Sequence, residues 1–381
     1  MATIKNKLIK LSKAAIDQTE INAVNKVLKN EYLGMGEQVK KFENLLSNYF
    51  NSYVTCVSSG TAAIQLALQA HGIKKKDEVI VPSITYVATF QAISATGAIP
   101  IACDVTSDKM LINIEDLEKR ISTKTKAIIP VHYAGDPCNL KKLRKISKKY
   151  NLALIEDSAH AFGSKYEGKM LGSHKGTSCF SFDGIKNITS GEGGCVVTSY
   201  KKVDEFIKNS RNLGVIKDYE YRYNHKRKWD FDVKYQGWRY HMSDIMAAIG
   251  IEQFKKKEKF FSKRKKLALN YDKLLKKYDE ITFFDRDYNQ IVPHIYPIRI
   301  NNFKKIKNLQ EKLLNKGIQT GIHYLPNHKL SFYKSIRNKK PLRITNKIFN
   351  EIITLPLHYD ISFKQQEIII RSLISSLNEF Y

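Results

Sequence analysis

Cysteine is scarce and scattered in this chain. The five residues, Cys56, Cys103, Cys138, Cys179 and Cys195, are odd in number and include no C-x-x-C pair. That argues against a disulfide framework and against a zinc site, so buried thiols and no metal are expected. No run of about 18 apolar residues occurs, so no membrane span is expected. Met1 to Ala15 carries four lysines and no apolar core, which speaks against a secretory leader and for a cytoplasmic protein. Acidic residues are also in deficit: 37 Asp and Glu stand against 64 Lys and Arg, a formal net charge of +27. Such an excess invites a nucleic-acid reading. The lysines, however, run from end to end, and the densest groups, Lys141 to Lys149 and Lys255 to Lys266, fall on amphipathic helical patterns, as solvated helix faces do. No nucleic-acid partner is therefore expected. A positive field that gathers phosphate-bearing substrates is.

What is present is an alternation. From Glu78 onward short apolar runs (79–81, 99–103, 127–131, 152–155) take turns with helical patterns (86–96, 114–121, 140–150). This βαβ rhythm predicts an α/β fold with a mostly parallel sheet, helices on both faces and ligands beyond the carboxyl ends of the strands. The spacing also predicts a helix over 11–29 and an amphipathic helix after the Gly34–Gly36 turn. A long irregular segment is expected over 211–239, and one long helix from Ser243 to about Tyr278 that leaves a large domain (1–255) for a smaller α+β domain (256–381).

Three stretches carry chemistry. S-C-F-S-F-D-G-I-K-N-I-T-S-G-E-G-G, Ser178 to Gly194, reads as strand, loop, lysine, tight turn and strand. Partial desolvation there lowers the pKa of Lys186 and lets its neutral amine attack an aldehyde; the plain alternative is one more exposed lysine. V-S-S-G-T-A-A-I, from Val57, puts Gly60 and Thr61 at a helix N-terminus, where free N–H groups cradle a phosphate, or form an ordinary cap. L-I-E-D-S-A-H-A-F-G, from Leu154, sets Asp157 at a strand end with His160 three residues on. Such a carboxylate can hold a pyridine nitrogen protonated, or can simply cap a helix.

In this order on one parallel sheet, these motifs resemble the DegT or StrS family of nucleotide-sugar aminotransferases, pyridoxal phosphate enzymes of fold type I. The likeness runs from G-M-G-E-Q-V-K-K-F-E at Gly34 to L-P-L-H at Leu355. It implies a seven-stranded, mostly parallel sheet and pyridoxal 5'-phosphate as cofactor, cycling through pyridoxamine 5'-phosphate. Lys186 would form the internal aldimine and move the proton. Asp157 would pair with the ring nitrogen, and Gly60, Thr61 and Ser181 would bind the phosphate. Tyr86, from P-S-I-T-Y-V-A-T, and His160 would lie against the two ring faces. His323 and Tyr324, in H-Y-L-P-N-H, would help enclose the sugar.

Two positions depart from the family pattern. G-W-R-Y-H-M stands where G-Y-N-Y-R-M is usual, putting Arg239 at a cofactor-phosphate position, with His241 after it. Asp183 stands near the substrate where histidine is frequent. The resemblance implies a homodimer that moves an amino group from L-glutamate to a UDP-, dTDP- or GDP-linked 4-keto- or 3-keto-6-deoxyhexose, for glycan, O-antigen or other amino-sugar biosynthesis. Two rival readings are a small phosphorylated ketone as acceptor and a basic nucleic-acid-binding protein on this fold.

Overall fold

In the structure, a computed structural model, residues 8–227, 229–336 and 340–380 are described. Helices α1 (Gln18–Lys29) and α2 (Glu37–Phe50) precede strand β1 (Tyr53–Val57). The alternation follows: α3 (Gly60–Ala70), β2 (Glu78–Pro82), α4 (Val87–Ala95), β3 (Ile99–Cys103), α5 (Ile114–Arg120), β4 (Thr125–Ile128), α6 (Leu140–Lys149) and β5 (Ala153–Asp157). A short ribbon, β6 (Lys165–Tyr166) and β7 (Lys169–Met170), leads to β8 (Thr177–Ser181), β9 (Gly194–Thr198), α7 (Lys201–Ser210) and α8 (Asp218–Arg222). The rest comprises α9 (Asp244–Lys255), α10 (Lys257–Leu275), β10 (Ile281–Phe283), β11 (Tyr296–Ile300), α11 (Ile306–Asn315), α12 (Arg343–Phe349), β12 (Ile352–Leu355) and α13 (Phe363–Asn378).

Seven strands form one sheet in the order β1-β9-β8-β5-β4-β2-β3. Only β9 runs against the others, pairing antiparallel with both β1 and β8. The predicted mostly parallel, seven-stranded sheet is therefore present. Its parallel strands all deliver their carboxyl ends to one edge, and reversed β9 begins there. Helix α3, buried from Ala62 to Leu68, lies against the sheet with α4 and packs with Val79, Val81, Ile129 and Ile155. A second apolar cluster joins α10, α11 and α13 to the three-stranded sheet β10-β11-β12 through Leu267, Tyr271, Tyr296, Ile298, Leu309 and Leu373. All five cysteines are buried free thiols. Among the described residues no helix is long and apolar enough to cross a membrane.

Two helices differ from the sequence reading. The first begins at Gln18, not Leu11, because Asp17 caps it: the Asp17 carboxylate accepts from Thr19 N, and Glu20 reaches back to Asp17 N at 3.0 Å. The residues before it are drawn away, with Ile9 bridging to Ile318 and Leu357 N donating to Leu11 O. The long helix predicted from Ser243 is two, α9 and α10, broken at Lys256 with φ −93° and ψ 1°. The Lys256 ammonium is held by Asp17, at 3.0 Å, and by Glu20, so the acidic first turn of α1 anchors the break. Helix α7 and strand β12 are absent from the sequence reading. Val203 and Ile207 make too thin an apolar stripe, and a four-residue run does not separate strand from buried helix.

The irregular 211–239 segment is tied down at its start. Arg211, fully buried, donates to Glu43 and to Cys56 O, and its Nη2 reaches Tyr223 OH at 2.8 Å. Glu43 also accepts from Cys56 N at 2.7 Å. One guanidinium thus joins α2, β1 and the segment beyond α7. Replacing Arg211 by Met strands a buried carboxylate and should cost about 3–5 kcal/mol in urea unfolding, of which Glu43→Gln in the same chain should recover part.

Candidate active site

Beyond the carboxyl ends of β1, β2, β4, β5 and β8 lies a cavity of about 410 Å³. Its wall contains Gly60, Thr61, Tyr86, Asp157, His160, Ser181, Asp183, Lys186, His323 and Tyr324. All the predicted site residues meet there except Arg239. That residue is exposed on a segment that bridges Asn212 and, through His241, Val57, which carries it along the outside of β1. A larger groove of about 880 Å³, lined by His71, Lys126, Arg144, Lys148 and Tyr200, opens at the amino ends of the strands and contains none of the predicted residues.

The anion end of the cavity is built by close approach. Ser59 caps α3, its Oγ accepting from Ala62 N at 3.1 Å, which leaves the N–H groups of Gly60 and Thr61 for a ligand. A Cβ on Gly60 would stand 2.9 Å from Ser181 Cβ, and one on Gly194 would stand 2.7 Å from Gly60 N. Only glycines let the starts of α3 and β9 and the end of β8 converge, and this convergence sets the Ser181 hydroxyl beside the helix N-terminus. The Gly-Glu-Gly-Gly corner is thus required by packing as well as by its turn.

Asp157, 4% exposed, accepts from Thr89 Oγ1 at 2.7 Å and from Ala159 N at 3.1 Å. Burial pushes its carboxyl above the usual range, against those hydrogen bonds and the charge of Lys186. His160 has both ring nitrogens committed: Nδ1 accepts from Ala134 N at 3.3 Å, so Nε2 carries the hydrogen toward Tyr324 OH at 2.9 Å. Burial, with Lys186 nearby, keeps it neutral, and it offers the cavity a ring and no free proton. Tyr86 is exposed, with its ring 5.6 Å from that of Tyr324.

Lys186 follows a tight loop in which Asp183 accepts from Ile185 N at 3.1 Å and Lys186 N donates to Asp183 O at 3.0 Å. Among the described residues its amine makes no ion pair within 4 Å. Burial lowers it from the ordinary 10.5 to about 8, opposed by Asp183 and Asp157 and assisted by Arg264. Among the described residues its one hydrogen-bond contact is with His294 Nε2, at 3.5 Å.

His294, Arg264, Thr89 and Glu192 were not predicted. Thr89 and Glu192 stand inside motifs quoted for other residues, whereas His294, in V-P-H-I-Y, carries no local signal. Arg264 is buried on α10 and donates to His294 O at 3.0 Å and Leu357 O at 3.3 Å. Burial alone brings it down to about 10.

The set fits a phosphorylated pyridine aldehyde. Gly60, Thr61 and Ser181 form an anion cradle closed to any larger residue, Asp157 supplies a buried carboxyl, and Lys186 supplies an amine close to neutrality. The chain matches the DegT/DnrJ/EryC1/StrS aminotransferase family over residues 14–374. It is 35% identical to the UDP-4-amino-4,6-dideoxy-N-acetyl-beta-L-altrosamine transaminase of Campylobacter jejuni, over 98% of each chain. It is 34% identical to the GDP-perosamine synthase of Escherichia coli O157:H7, over 98% of this chain and 99% of that one. Among solved structures, the pyridoxal phosphate form of the sugar aminotransferase Spr1654 from Streptococcus pneumoniae superimposes with a TM-score of 0.90 at 27% identity, covering 98% and 100% of the two chains. The chain belongs to the DegT/DnrJ/EryC1/StrS family and is a pyridoxal phosphate-dependent sugar aminotransferase.

An amine depressed on folding has a thermodynamic signature. The folded pKa of Lys186, about 8, lies below 10.5, so the unfolded chain binds more protons between those values and stability rises as pH climbs through that window. Below it the penalty is fully present. Cofactor-free Lys186→Met protein should therefore be about 3 kcal/mol more stable than the parent at pH 7, with the gap closing by about pH 10.5, as read by urea unfolding.

Proposed function

We propose that this member of the family moves an amino group from L-glutamate to a nucleotide-linked keto-deoxysugar. The observation that supports this most directly is the convergence of the anion cradle, the Asp157 carboxyl, the Lys186 amine and the His323–Tyr324 pair on one cavity.

In this reading Gly60 N–H, Thr61 N–H and the Ser181 hydroxyl would hold the cofactor phosphate, since the helix dipole at the start of α3 favours an anion. Asp157, which burial already biases toward carrying a proton, would pair with the ring nitrogen. When bound, pyridoxal phosphate supplies an aldehyde that bonds an amine and a ring that spreads the charge of an adjacent carbanion. Lys186, neutral in a useful fraction near pH 8, would move one proton from the donor α-carbon to the cofactor carbon, and in the second half-reaction one from that carbon to the aminated sugar carbon. His160 and Tyr86 confine the ring.

The acceptor enters under His323 and Tyr324. His323 Nδ1 is hydrogen-bonded to Thr354 Oγ1 at 2.9 Å, and burial, with Lys186 nearby, lowers it to about 4, so it faces the sugar as a neutral ring. Asp183 and Glu192 add carboxylate acceptors for sugar hydroxyls. The net charge of +27 draws a diphosphate toward the protein.

A homodimer is part of the proposal. Trp229, Phe231 and Tyr86 are 83%, 52% and 59% exposed in the single chain, more apolar surface than an irregular segment and a cavity mouth leave bare in a monomer. A second copy would cover it, and would bring a second Arg239 into play. The soluble nucleotide substrates of such a reaction are consistent with a cytoplasmic place of action.

The test is spectroscopic. L-glutamate should bleach the visible band of the loaded protein, and one of a set of UDP-, dTDP- and GDP-linked keto-sugars should restore it. Lys186→Ala should lose turnover by at least about a thousandfold. A band that bleaches and returns with a small phosphorylated ketone but with no nucleotide sugar would move the acceptor to that class.

A further inference from the structure

The released lysine amine must go somewhere. While the cofactor carried substrate, Lys186 would be free of it, and would have to present a lone pair to a carbon-bound proton and then be held as an ammonium. Among the described residues its amine makes one hydrogen-bond contact, to His294 behind the cavity wall, with Nζ 3.5 Å from Nε2. We propose that His294 is the positioning residue that seats the free Lys186 amine, and that its ring tautomer decides whether the lysine lone pair is available.

The two histidines beside the lysine differ in one respect. Their rings lie 4.5 Å apart, and both are buried. His160 has its tautomer fixed by Ala134 N on one side and Tyr324 on the other. His294 is held through its backbone, its carbonyl accepting from Arg264 at 3.0 Å and its N–H donating to Ala134 O at 3.3 Å. Its Nδ1 is buried and meets no hydrogen-bond partner among the described residues. The hydrogen can therefore sit on either nitrogen of His294 without breaking a bond to the protein.

The consequence follows from valence. With its hydrogen on Nδ1, His294 offers Nε2 as an acceptor to one N–H of the lysine, which serves the neutral amine and the ammonium alike and leaves the neutral lone pair directed into the cavity. With its hydrogen on Nε2, the ring donates into that lone pair and the lysine is parked. No proton need leave the pair, because burial and the neighbouring cations keep His294 itself neutral. Arg264 is a suitable anchor: it clamps the His294 backbone from α10 while adding positive charge that disfavours the ammonium.

This inference rests on the aminotransferase reading, so part of its test uses cofactor-free protein. There the pH midpoint for modification of Lys186 by trinitrobenzenesulfonate, read on the Lys186 peptide by mass spectrometry, should shift by at least about half a unit in His294→Phe. In loaded protein the single-turnover rate of the glutamate half-reaction should fall by at least about tenfold with KM within about twofold, and His294→Gln should recover part of the rate. Should the Phe variant not fold, ¹⁵N shifts of His294 in cofactor-free parent and Lys186→Ala protein read the same contact: Nε2 should respond to loss of the amine. An unmoved midpoint and rate in folded His294→Phe, or an Nε2 shift indifferent to Lys186, would overturn the role. Failure of glutamate to bleach the parent would instead sink the functional reading and leave the cofactor-free results standing.

Discussion

The structure depends on enclosing one amine without pairing it. A lysine inside a protein is held charged if a carboxylate touches it and is pushed toward neutrality if burial and other cations prevail. At Lys186 the second influence wins, since Asp183 and Asp157 favour the charge from a distance while burial and Arg264 oppose it. The fold supplies this balance by its topology. Parallel strands bring the Asp157, Ser181 and Gly60 ends of β5, β8 and β1 to one edge, and the reversal of β9 returns the chain past the lysine loop to that edge. The glycines at 60 and 194 permit the approach, and a methyl group at either would collide with its neighbours.

The loop at His323 and Tyr324 closes the cavity. Arg286 pairs with Asp136 in a buried contact, Tyr133 OH donates to His323 O, and Asn327 Nδ2 donates to Thr85 O at 2.7 Å and Ser83 O at 3.1 Å. Arg264 ties α10 to His294 and Leu357. The contacts of Arg286, Tyr133 and Asn327 each join an element beyond Lys256 to a loop at the carboxyl edge of the large sheet. The roof residues His323 and Tyr324 are thereby placed over Lys186 by buried polar contacts, whose loss would leave unpaired groups behind.

How much of this was legible followed the range of the interactions involved. The alternation from Glu78 to Ile155 gave the sheet because each βαβ unit is local, and the Gly60, Asp157 and Lys186 motifs placed the cavity because each sits at a strand end. Helix boundaries failed where a distant partner decided them: Lys256 breaks its helix because Asp17 and Glu20 hold its amine across more than 200 residues. His294 was invisible for the same reason, since it lies 108 positions from the lysine it touches and its own neighbourhood reads only as an apolar strand. The two densest lysine groups lie on helix faces. The lysines of α6 sit opposite buried Leu140, Leu143 and Ile146, and those of α10 surround buried Phe260, Phe261 and Leu267.

The most direct test of the account asks which of the chain's many lysines carries the cofactor. Protein loaded with pyridoxal 5'-phosphate is reduced with borohydride, which makes the lysine linkage permanent, and is then digested and mapped by mass spectrometry. The account predicts a single phosphopyridoxyl group on Lys186, absent from protein exposed first to L-glutamate. A label on another lysine, or equal labelling before and after glutamate, would contradict it.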